Sequence, residues 1–191
     1  MTLQIAQDEA ADEVLSTNAF ALLVGMLLDQ QFPMERAFAG PATILDRFGT
    51  LDPATIADAP PEEFADICAG PPAVHRYPGA MVARLQALAR QVTDAYGGDA
   101  ASLWRTAASG EELLRRLLAL PGFGRQKAQI FVALLGKQLD VHPPGWEQAA
   151  GVYSEAGSYR SVADVRDAAS LDKVRAFKRE QKAAAKAQRN D

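Results

Sequence analysis

The chain has 191 residues, 48% of them hydrophobic, enough to bury one core or two small ones. Its single cysteine, Cys68, excludes an internal disulfide framework and any iron–sulfur or zinc site built from four cysteines of this chain. A net charge of −4 excludes a uniformly basic surface, so a face for nucleic acid has to be a local patch on an acidic body. The segment from Lys173 to Arg189 is the obvious basic stretch, with seven Lys or Arg against one Glu. The N-terminus carries acids and no apolar core of a leader. No apolar run reaches the roughly 18 residues of a membrane span. Both features predict a soluble, cytoplasmic protein without a membrane partner, associated with the nucleoid if prokaryotic.

The pattern is helical almost throughout, with no convincing period of two. Phe20, Leu23, Val24, Leu27 and Leu28 form a wide apolar stripe ending near Phe32-Pro33. Met34 to Phe48 is a second helix, expected to break early at Gly40-Pro41. Asp52-Pro53 and Pro60-Pro61 each open a short helix. A loop from Gly70 to Gly79 contains His75, Arg76 and Tyr77. A long helix striped by Met81, Leu85, Leu88 and Val92 then runs to Gly97-Gly98. Ser109-Gly-Glu-Glu112 reads as a capping box before Leu113, Leu114, Leu117 and Leu118. Ala128 to Leu135 is apolar nearly all round and should be buried, with Gly136 as its stop. His142-Pro-Pro-Gly145 is a rigid connector. Ser161 and Ser170 look like N-caps of later helices. The last helix, about 171 to 188, should fray toward its end.

The most telling segment is Leu120-Pro121-Gly122-Phe123-Gly124-Arg125-Gln126-Lys127. Pro121 cannot extend the helix before it. Gly122 and Gly124 permit positive φ and close backbone approach. The next helix starts with free N–H groups beside Arg125 and Lys127, which together describe an anion clamp suited to a phosphodiester. A tight helix–helix turn without a ligand is the plainer alternative.

With Leu22 to Gln31 upstream, and Gly79 to Gly98 between, this segment resembles the helix-hairpin-helix DNA glycosylase superfamily. That superfamily includes endonuclease III and the adenine-mispair and alkyladenine glycosylases. The resemblance covers roughly residues 18 to 140. It implies an all-α fold of two lobes. A helical barrel would span 20–136, and 1–19 with 137–191 would form the second lobe. It also implies duplex DNA, damaged or abasic, as the partner. Leu120, Gly122, Gly124, Arg125 and Lys127 would contact DNA, and Gln30 and Gln31 would wedge into the duplex. No cofactor, metal or iron–sulfur cluster is implied.

The catalytic loop departs from the family pattern. The position of the catalytic Asp falls on Pro143 or Pro144, so Asp140 and Glu147 are the carboxylates offered in its place. A carboxylate is needed because cleaving the N-glycosidic bond builds positive charge on the sugar. Gln126 stands where bifunctional members carry a Schiff-base lysine, which predicts a monofunctional enzyme using water. Asp29 is a further acid at the end of its helix and, with His142 and Trp146, a candidate for the substrate pocket. Each of these has an ordinary alternative, as a surface acid, a structural histidine or a core indole. Three functions remain open at this point: a DNA N-glycosylase, a DNA-binding protein of the same fold that has lost cleavage, or an interaction module that uses the hairpin on protein.

Overall fold

A computed structural model describes residues 2–188; Arg189, counted above with the basic end, lies outside them. Among the described residues there are eleven α-helices, two short 3-10 helices and no strand. The fold is all-α. No single helix there is long and apolar enough to cross a membrane.

Asp8 caps α1 (Glu9–Thr17), and Asn18 caps α2 (Ala19–Leu28). Nine of the ten α2 residues are buried, so this helix is the spine of the N-terminal half. α3 (Met34–Phe48) packs across α1 and α2. It does not break at Gly40-Pro41. Phe38, Gly40, Pro41 and Ile44 are all buried, and this packing carries the helix through the proline at the cost of one backbone hydrogen bond. α4 (Pro53–Asp58) and α5 (Pro61–Ala69) both start on proline, as their sequences predict, and both rest on the long α6 (Pro78–Tyr96).

The second half begins with the short α7 (Ser102–Arg105) and α8 (Gly110–Leu118). Ser109 caps α8, and the Glu112 carboxylate reaches back to Ala108 N rather than to Ser109 N. α9 (Arg125–Leu139) follows the hairpin and is the spine of this half. It passes through Gly136 and ends three residues later. Gly136 is a packing residue, because a Cβ there would stand 2.3 Å from the Trp146 ring. The chain then turns back along α9 through α10 (Trp146–Ala150) and the 3-10 helix Gly151–Ser154. Gln129 Nε2 donates to Ala149 O at 3.3 Å, and Gln126 Nε2 to Tyr153 OH at 3.0 Å, which fixes this antiparallel return. The 3-10 helix Val162–Asp164 packs on α9 with Ser161 as its cap. Its Asp164 forms a buried ion pair with Lys137 at 2.6 Å. α11 (Ala168–Ala187) starts earlier than the sequence suggests. Asp167 is its cap, and Ser170 occupies the third helical position, completing a capping box.

One continuous apolar core runs through both halves. Gly136, where the sequence places the lobe boundary, lies inside α9. Its contact gives the first prediction. Gly136→Ala should cost about 1–3 kcal/mol by overpacking against Trp146, read as a Tm lower by several degrees in thermal denaturation. An unchanged Tm would show that the indole moves aside freely.

Candidate DNA-binding and catalytic cleft

The hairpin lies between α8 and α9 and packs on the end of α2 in the other half. Phe123 N donates to Leu120 O at 3.1 Å, closing the turn, and the Leu120 side chain is buried. Gly122 has φ +79°, a conformation that side chains rarely adopt, and a Cβ there would meet Leu27 Cδ1 at 2.4 Å. Gly124 behaves differently from the sequence expectation. Its φ is −77° and it caps α9 in an extended conformation, facing open space. No side chain caps α9. Its first N–H groups lack intrahelical partners, and Arg125 is exposed beside them.

The end of α2 lies against this turn. Gln30 and Gln31 are exposed, and Gln31 holds φ +55°, a left-handed conformation that is costly for a non-glycine residue. The turn is tethered through Gln30 O, which lies 2.8 Å from Nε2 of the buried His75. His75 Nδ1 in turn accepts from Tyr77 N at 3.0 Å. The loop of Gly70 to Gly79, unassigned from sequence, therefore positions the glutamine turn.

Lys127 sits one residue beyond the hairpin position and points inward. Its Nζ donates to Leu27 O at 3.1 Å. Burial pulls its amine down to about 8, against the opposing pull of Asp29 and with a further lowering from Arg84. Asp29 caps α2 and is only 13% exposed at its side chain. Burial holds its carboxyl above the usual range, while Lys178 and Lys127 pull it down. Lys178 Nζ, from α11, stands 3.7 Å from Asp29 Oδ2. One turn earlier on α11, Arg175 pairs with Glu35. A buried carboxyl group, approached by Lys178 and within the field of Lys127, thus lies near the free N-terminus of α9.

The other predicted residues are not brought to this place. Asp140 ends α9, about 20 Å along its axis from Gln126. Its side chain is 94% exposed and lies 3.3 Å from His142 Nδ1. His142 stacks on Trp146 at 5.1 Å, and its Nε2 lies 2.9 Å from Gly136 O. Trp146 is spent on Gly136 and His142, and Glu147 is an exposed residue in the first turn of α10. The site residues proposed from sequence therefore divide into two groups. Asp29, Gln30, Gln31, Gly122, Gly124, Arg125 and Lys127 gather at the hairpin, with Leu120 packed beneath. Asp140, His142, Trp146 and Glu147 gather at the far end of α9. Lys178 was missed; the signal available was its spacing of four from the buried Val174, which puts both on one face of α11.

A buried helix entered through a Pro-Gly turn, with its first N–H groups open and a glutamine turn beside it, defines an all-α DNA-binding protein of the helix-hairpin-helix class. The chain belongs to the HhH-GPD superfamily of base excision DNA repair proteins, whose family model matches residues 24–190. Neither a curated protein nor a solved structure matches it.

Lys127 makes a prediction about pH. Its ordinary value is 10.5 and its folded value about 8. Between those limits the unfolded chain binds more protons than the folded one, so stability should rise with pH through that window. Denaturant titrations at pH 7.5 and 10 should show this rise in the wild type and a smaller one in Lys127→Met. An equal rise in both would place the titrating group elsewhere.

Proposed function

We propose that this base excision repair protein is a monofunctional DNA N-glycosylase that extrudes a damaged base at the hairpin cleft. The N-terminus of α9, with Arg125, takes the phosphodiester backbone. Gln31, held in its left-handed conformation, fills the space that the extruded nucleotide leaves. Asp29 stands beside the sugar and stabilises the positive charge that develops there. The C1′–N bond breaks with its electron pair leaving on the base. The sugar carbon takes the oxygen of a water, whose proton passes to the carboxylate. The observation that carries this reading is the buried Asp29 carboxyl group, approached by Lys178 and within the field of Lys127, near the open N-terminus of α9. Gln126 supplies no amine at the hairpin position.

The second reading is a damage-binding protein without cleavage. Lys178 favours it, because it lies across the carboxylate that cleavage needs. An alkali-revealed base-release assay on a panel of uracil-, oxidised- and alkylated-base duplexes separates the two. Asp29→Asn should lower release on the order of 10²-fold or more while duplex affinity is retained. Asp140→Asn and Glu147→Gln should release base at the wild-type rate. Tight binding to tetrahydrofuran abasic duplex without release from any lesion favours the second reading. A borohydride-trapped adduct dependent on Lys127 would overturn the monofunctional assignment.

The basic end gives a separate prediction. Beyond Gln181 the helix is exposed. Truncation after Gln181 removes Lys182, Lys186 and Arg189, and should leave Tm unchanged while making the salt dependence of DNA binding shallower. An unaltered salt slope would show that this end is not near DNA.

A further inference from the structure

Beside the hairpin lies a cavity of about 410 Å³, within the range of pockets that hold small ligands. Gln126, Tyr153, Arg160, Phe177, Lys178 and Gln181 line it. Lys178 also reaches Asp29 at 3.7 Å, so the cavity and the shielded carboxylate adjoin. Resting on the reading of this cleft as a site of base extrusion, we infer that the cavity receives the extruded base and selects a neutral base bearing carbonyl oxygens over a cationic, N-alkylated one.

Three observations carry the selection. Tyr153 and Phe177 offer aromatic surface, as pockets for flipped bases require. A cationic base would gain most from an aromatic face, but Arg160 already lies over the Phe177 ring, 5.5 Å from its centroid. Arg160 is held there by two hydrogen bonds to Glu155, at 3.1 and 2.8 Å. The lining is also rich in donors and holds no acid. Lys178 and Arg160 are cations, and the amides of Gln126 and Gln181 add neutral donors. The two carboxylates that adjoin the lining are each already paired, Glu155 with Arg160 and Asp29 with Lys178. Exocyclic carbonyl oxygens, which deaminated and oxidised bases present, match these donors. A fixed positive charge on the base is repelled by the same groups.

The test is equilibrium binding by fluorescence anisotropy, using the full chain and duplexes that resist cleavage. Each carries a 2′-fluoroarabino nucleotide of uracil, hypoxanthine or 3-methyladenine, the last cationic and without an exocyclic oxygen, with tetrahydrofuran abasic and intact duplexes alongside. Uracil or hypoxanthine should bind at least about tenfold more tightly than 3-methyladenine, the scale that paired polar groups can enforce. Arg160→Gln and Gln181→Leu should each narrow that gap below about threefold by weakening the carbonyl-bearing duplexes. Equal or reversed affinities, with tetrahydrofuran duplex still preferred over intact duplex, overturn this inference alone. No preference for tetrahydrofuran over intact duplex overturns base extrusion itself, and this inference with it.

Discussion

The seating of the hairpin on the end of α2 is the contact on which the cleft depends. Gly122 approaches Leu27 where no Cβ fits, and the Lys127 amine closes on the Leu27 carbonyl from the other side of the turn. These two contacts set the distance between α2 and α9. Asp29, Gln30 and Gln31 follow one residue beyond Leu27 in the chain, so the same seating puts the acid and the glutamine turn beside the open end of α9. A burial energy of a few kcal/mol at one leucine thereby fixes the register of the groups proposed to face DNA. It also costs something locally, since Lys127 gives up hydration and Gln31 takes a left-handed backbone. Strain and desolvation placed together at a cleft are what a functional site looks like when the rest of the fold over-determines it.

Helix existence was legible because apolar spacing is a local property. The stripe of α2, the caps at Asp52 and Ser109, and the Pro-Gly hairpin all act within one or two turns of chain. The misreadings concern residues whose role is set by a distant partner. Gly136 looked like a helix stop because its partner, the Trp146 ring, lies on the returning segment. Pro41 looked like a break because the burial that overrides it comes from packing against α2.

The candidate site divides along the same line. The hairpin and the Gln30-Gln31 turn were readable as motifs. Asp29 was visible only as one acid among several, since its burial and the amines that face it, Lys127 nearly a hundred positions on and Lys178 farther still, are set by tertiary packing. Counting along the chain for the catalytic carboxylate led to Asp140 and Glu147, but α9 carries that count to its far end. A spacing measured in residues translates into distance only while the connecting backbone keeps one shape, and here α9 continues through Gly136 before the chain reverses.

The C-terminal helix now has two distinct parts. Up to Gln181 it is structure: Leu171 and Val174 are buried, Arg175 pairs with Glu35, and Lys178 reaches Asp29. Through these contacts the end of the chain closes over the N-terminal half and shapes one wall of the cavity beside the hairpin. Beyond Gln181 it is solvated positive charge attached to an otherwise acidic protein. Such a charge raises the encounter rate with a polyanion at low ionic strength without adding shape recognition. An acidic body repels DNA everywhere except where cations are concentrated, and the proposed clamp at the α9 N-terminus and the basic end are the two places where this chain offers them. Net charge alone argued against nucleic acid; the placement of charge along one helix reverses that argument.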